Sequence, residues 1–198
     1  MEVGGISSIY LLKNKIRRQI LTKRNGLSVS EISTRSLLIQ QHVTNSSQYK
    51  SAKIIGAYFP IGSEVRTEHI INTALNNRKV VLLPKAGPSK ISFSRVFRTD
   101  FGDNKLVEGK FRILEPPRSS CFAQENIDLL IVPGIAFDKY GYRIGYGKGY
   151  YDRFIEEKEF RFSIGLGFQF QVLDGTLPCC DFDQRLDAIA TERNMLVC

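Results

Sequence analysis

The chain has 198 residues, 42% of them hydrophobic and 24% charged, and its 28 basic against 20 acidic side chains leave a net charge of +8. That length makes a single domain, with two small domains as the outer limit, and buries a core without help from disulfides or a structural metal. Collagen-like and disordered classes are excluded by composition, membrane-spanning readings by the lack of any run of ~18 apolar residues, and the basic excess suits an anionic ligand without choosing which.

In chain order, residues 8–24 read as an amphipathic helix. Ile9, Leu12, Ile16 and Ile20 recur at steps of three or four, with Lys13, Lys15, Arg17, Arg18, Lys23 and Arg24 between them and Gly26 at the end. A second helix is predicted over 30–43, capped by Ser28 or Ser30 with Glu31 in its first turn. Residues 53–59 form a short apolar run ended by Pro60, the pattern of a buried strand. A helix is expected over 67–77, then a second buried strand over 79–84, again stopped by proline. Strict alternation over 91–97 predicts a half-exposed strand. Segment 98–120 is loop-like. Asp128–Pro133 is the third buried strand, a helix follows over 151–157, and 162–166, 188–190 and 195–197 are further strand candidates. Near-continuous Val, Ile and Leu in strands that alternate with helices argue for an α/β fold: three layers, a mostly parallel sheet with helices on both faces, Rossmann-like or NagB-type. We treat 1–198 as one domain.

In such sheets ligands bind beyond the carboxyl ends of the strands. Two segments lie there, Pro60–Thr67 and Pro133–Asp152. The second contains Gly141, Gly145, Gly147 and Gly149, interleaved with Arg143 and Lys148, between a strand and a helix. Closely spaced glycines bring backbone N–H groups up to an anion, and the two cations add full charge. Asp152 at the helix start is the carboxylate that Mg²⁺ needs beside phosphate oxygens. The spacing is neither a Walker A motif nor GxGxxG, and glycine count alone is equally compatible with a plain flexible loop. Lys13 and Arg17 are one turn apart on the first helix, where a charged face is ordinarily just solvated.

Four cysteines (Cys121, Cys179, Cys180, Cys198) form no CxxC pair, and there are only two histidines, so zinc is not expected. Reduced thiols and a start that does not read as a signal peptide make the cytoplasm the expected compartment.

The stretch VPGIAFDKYGYRIGYGKGYYDRF, residues 132–154, closely resembles the signature PGxxFDxxGxRxGxGxGYYDR of the 5-formyltetrahydrofolate cyclo-ligase (methenyltetrahydrofolate synthetase) family, matching every fixed position. The resemblance extends from the basic first helix to the Thr191-Glu192 segment. It implies ATP- and Mg²⁺-dependent cyclisation of 5-formyltetrahydrofolate to 5,10-methenyltetrahydrofolate with release of ADP and phosphate. By that resemblance Lys13 and Arg17 contact the nucleotide phosphates, as do Gly145, Tyr146, Gly147, Lys148, Gly149, Tyr150 and Tyr151. Arg143 and Lys148 neutralise charge during transfer. Glu64 holds the pterin, with Phe59 and the tyrosines as stacking candidates. Asp152 and Asp187, the latter in the LDxIxTE-like segment, are the metal ligands. Phe111–Pro116 resembles a substrate-covering loop. The chain departs from the pattern at Arg66 (often Asp), Arg112 (Gly), Phe182 (often His) and Tyr146 (Arg in some members). Its folate substrate would carry a mono- or polyglutamate tail. A monomer is expected, with no membrane association.

Two other readings stay open. One is a non-enzymatic RNA-binding relative on the same fold, favoured by the +8 charge but not by any interleaving of basic residues with exposed aromatics. The other is an ATP-using enzyme with another small acid as substrate.

Overall fold

A computed structural model describes residues 3–97, 107–108, 114–115, 126–157 and 160–198. The Phe111–Pro116 loop lies outside the described residues except for Leu114-Glu115, as does Cys121.

Each apolar run of the sequence is a strand: β1 (Ile54–Gly56), β2 (Val80–Ala86), β3 (Ile91–Val96), β6 (Ile127–Pro133), β9 (Phe160–Leu166), β11 (Ala188–Ala190) and β12 (Met195–Val197). They form one seven-stranded sheet in the order β12-β11-β9-β6-β1-β2-β3. Pairings from β11 through β2 are parallel, and both edge strands, β12 and β3, run antiparallel to their neighbours. Pro84 does not stop β2, as the sequence suggested, because β1 ends opposite Leu82 and the strand continues only against β3. A missing N–H is tolerated at such an edge-like position. The pair β4 (Val107–Glu108) and β5 (Leu114–Glu115) forms a separate ladder.

Helices cover both faces. Ile32, Ile39 and Val43 of α2 (Val29–Asn45) and Ile70, Ile71 and Ala74 of α4 (Glu68–Asn76) pack with Ile55, Leu129, Ile131 and Ile164 on one side. Phe154 and Ile155 of the seven-residue α5 (Tyr150–Glu156) pack with Leu130, Val132 and Ile189 on the other. Burying each of the Ile, Val, Leu and Phe side chains contributes about 1.5–3 kcal/mol before entropy is subtracted. The start of α2 is a capping box: Glu31 N–H donates to Ser28 Oγ (3.2 Å) and Ser28 N–H to Glu31 Oε2 (2.9 Å), which selects Ser28 as the cap. A five-residue helix, α3 (Ser47–Ser51), had no periodic signal.

A second, small sheet was also absent from the sequence reading. It has the order β10-β7-β8, built from β10 (Val172–Leu173), β7 (Ala136–Asp138) and β8 (Arg143–Ile144). The first helix, α1 (Val3–Asn25), begins earlier than its apolar periodicity. It lies on this small sheet, with Ile16, Ile20 and Leu21 against Ile135, Ala136, Ile144 and Leu177. The basic face of α1 is thereby carried to the carboxyl ends of β1 and β6, where strand order reverses.

Candidate active site

That crevice holds a cavity of about 600 Å³, within the range of small-ligand sites. Its walls come from α1, the loop after β1, the β2–β3 hairpin, the glycine-rich segment with α5, and Phe182-Asp183.

The glycine-rich wall is held open by backbone geometry. Gly147 and Gly149 have φ of 91° and 64°, the left-handed region that side chains avoid. Arg17 Nε donates to the Gly145 carbonyl at 2.6 Å, which fastens α1 to the loop, and burial lowers the Arg17 pKa, with Asp183 and Tyr10 opposing that shift. Arg153 donates to the Lys148 carbonyl at 2.8 Å and to Ser89 O at 2.8 Å, fixing the far side. Lys148 itself is exposed at the cavity mouth.

Arg143 on β8 is buried, and its Nη1 lies 3.1 Å from Asp152 Oδ1 and donates to the Gln184 carbonyl at 3.3 Å. The same Asp152 oxygen accepts Gln184 N–H at 3.2 Å. Lys13 is paired with Asp183, and both side chains are nearly buried. Asp183 and Phe182, whose ring centroid is 5.8 Å from Lys13 Nζ, come from a segment that sequence reasoning did not connect with the nucleotide side.

The opposite wall carries Glu64, 4% exposed, with Ile61 N–H donating to its Oε2 at 3.0 Å. Burial raises the Glu64 pKa; the Ile61 amide, Arg24, Tyr146 and Arg66 act against that rise. Ser36 on α2 accepts Arg66 N–H at 3.0 Å and anchors this loop. Phe59 and Tyr58 stand beside Glu64, and Tyr150 reaches across to donate to the Gly87 carbonyl at 3.2 Å. The Tyr151 hydroxyl is the one buried side-chain polar atom without a hydrogen-bond partner among the described residues, and Tyr151 lines the cavity.

Every site residue expected from the sequence lines this cavity except Asp187. The Asp187 carboxylate instead accepts Ser163 N–H and Ser163 Oγ–H on β9, each at 2.7 Å. Among the described residues no group of three or more His, Cys, Asp or Glu could cage a metal. A divalent cation therefore fits here only in the form Mg²⁺ commonly takes, with one or two carboxylates completed by phosphate oxygens and water. Asp152 lines the cavity at the glycine-rich wall, with its Oδ1 held by Arg143 and the Gln184 amide.

The family profile for 5-formyltetrahydrofolate cyclo-ligases matches residues 11–192. The chain belongs to that family. A probable 5-formyltetrahydrofolate cyclo-ligase from Caenorhabditis elegans is 29% identical, covering 97% of this chain and 98% of its own. One from Schizosaccharomyces pombe is 31% identical over 94% of this chain and 98% of its own. The solved 5,10-methenyltetrahydrofolate synthetase of Aquifex aeolicus superposes with a TM-score of 0.80 at 33% identity, covering 94% of this chain and 92% of that one. The α/β fold expected from the strand pattern is that of this neighbour. This cyclo-ligase is accordingly an enzyme, an ATP-dependent ligase of folate one-carbon chemistry. Among its described residues no helix is long and apolar enough to cross a membrane.

Proposed function

We propose that this cavity cyclises 5-formyltetrahydrofolate to 5,10-methenyltetrahydrofolate, with ATP bound along the glycine-rich wall and the pterin at Glu64. One observation carries the reading: a single cavity gathers Lys13, Arg17, Arg143 and Lys148 on one side and a buried carboxylate on the other. The cations suit a triphosphate, and a carboxylate accepts the N–H groups of a pterin edge.

The γ-phosphoryl group passes to the formyl oxygen, N10 attacks the activated carbon, and phosphate leaves as the ring closes. Such a transfer depends on positioning and charge neutralisation more than on a protein nucleophile. Arg17 and Lys148 bind the phosphates, Arg143 holds Asp152 at the wall, and the loop amides line the triphosphate path. Mg²⁺, held by Asp152, would supply charge neutralisation at the phosphate oxygens. Asp187 does not line the cavity and its carboxylate accepts from Ser163, while Asp183 does line it but is paired with Lys13, which leaves Asp152 as the carboxylate for the metal. Unpaired Cys179, Cys180 and Cys198 support a reducing compartment such as the cytoplasm.

The test is absorbance in the methenyl-folate band with purified protein, Mg-ATP and 5-formyltetrahydrofolate. A rise that requires both ATP and Mg²⁺, and that falls by about two orders of magnitude in Asp152→Asn, is the expected result. Folded wild-type protein that gives no rise contradicts the reading.

A further inference from the structure

Arg24, near the end of α1, is only 2% exposed, yet it makes no ion pair within 4 Å among the described residues. A buried guanidinium without an acid in contact needs its charge answered another way. Arg24 Nε donates to Ser63 Oγ at 3.1 Å, Nη1 to the Gly134 carbonyl at 3.4 Å and Nη2 to the Tyr146 hydroxyl at 2.7 Å. Tyr146 and Glu64 line the same cavity, and both Tyr146 and Arg24 favour the ionised form of the Glu64 carboxylate. A phenol has one proton. With Arg24 donating to the Tyr146 oxygen, that proton is free to donate to an acceptor at the cavity wall. Arg24 thus grips Ser63, the neighbour of Glu64 in sequence, and Tyr146 on the facing loop.

We propose that Arg24 is a positioning residue for the folate site, acting through the Tyr146 hydroxyl to orient Glu64 at the cavity wall. This rests on the placement of the pterin at Glu64. It also moves Tyr146 from the nucleotide wall, where its sequence neighbours put it, to the folate wall. The other charged or titratable groups that act on Glu64 are Arg66, Tyr58 and Tyr151. Arg66 remains in every variant below, so a shift among them reports on Arg24 and Tyr146.

Steady-state kinetics of Tyr146→Phe, Arg24→Gln and Arg24→Lys, varying folate and ATP separately, test it. Tyr146 is half exposed, so Tyr146→Phe is the variant that folds even if an Arg24 variant does not. The expected result is a rise of about tenfold in KM for folate, the scale of one lost hydrogen bond to a charged group, with KM for ATP unchanged. Removing groups that favour the ionised carboxylate moves the acid limb of kcat/KM for folate to higher pH. Arg24→Lys recovers part of the loss. Tyr146→Phe adds nothing in a Glu64→Gln background, as expected of residues acting as one unit. A rise in KM for ATP alone, or an unmoved acid limb, overturns the inference. If Glu64→Gln by itself leaves KM for folate unchanged, the pterin placement fails and this inference with it. If Glu64→Gln is defective and Tyr146→Phe is simply additive, only the relay fails.

Discussion

Glu64 shows what the site costs the fold. Its carboxylate is buried, and desolvation raises its pKa despite the Ile61 amide, Arg24 and Tyr146. A carboxyl group whose folded pKa lies above its unfolded value binds protons more tightly in the folded state. Its ionisation therefore removes stability as pH rises from the ordinary glutamate range through the raised folded value, and at lower pH there is no penalty. Gln mimics the protonated form at every pH. The Tm of Glu64→Gln should match wild type near pH 4 and exceed it at neutral pH, while folate binding is lost. Thermal unfolding followed across that pH range checks this; a variant less stable than wild type at neutral pH contradicts it. With the pterin proposed at Glu64, that outcome would follow the usual trade between active sites and stability.

At the scale of elements, the small sheet is tied to the main one by the ring of Phe137 on β7, which is fully buried. The ring occupies space left by Gly134, Gly165 and Gly167. A Cβ on Gly165 would come within 2.6 Å of Phe137 Cε1 and 2.7 Å of Leu186 Cδ1. Gly165→Ala should cost about 1–3 kcal/mol by overpacking. Adding Phe137→Leu should return part of that loss, so that the double variant is more stable than the sum of the singles predicts. Denaturant melts of the three variants measure the coupling.

This part of the fold was illegible beforehand, for a physical reason. β7, β8 and β10 are two or three residues each and lie within or beside the glycine-rich and turn-rich segments, so neither a period nor an apolar run sets them apart, as one does at 188–190 and 195–197. The long runs at β2, β6 and β9 announced themselves because strands covered on both faces must be apolar throughout. The candidate site was legible to a similar degree. The glycine-rich segment stands out by local composition, and Lys13 and Arg17 by helical spacing. Arg24 and Asp183 do not, because a buried arginine and a distant turn look in sequence like any solvated face or loop, and Phe182 drew notice only through the family pattern. Asp187 sat in a segment with the right letters, but its partner, Ser163, could be found only in three dimensions.

Over the whole molecule, the architecture makes α1 a common carrier. It brings Lys13 and Arg17 to the glycine-rich wall and Arg24 to Ser63 and Tyr146 beside Glu64, and it is held on the small sheet by Ile16, Ile20 and Leu21. Loosening that contact should disturb both halves of the cavity together. Ile20→Ala removes a side chain that is 8% exposed and should destabilise by about 2–4 kcal/mol. Its KM should rise for both ATP and folate. Ile39→Ala, at a fully buried position of α2, should destabilise by a similar amount while leaving both KM values unchanged, because no residue of α2 lines the cavity. Denaturant midpoints set the two variants on one stability scale, and kinetics at a temperature where both stay folded separate them. Equal KM values in the two would mean that α1 is held by more than its apolar contact with the small sheet. The Arg17–Gly145 and Arg24–Gly134 hydrogen bonds would then be the fastenings that keep the cavity in shape.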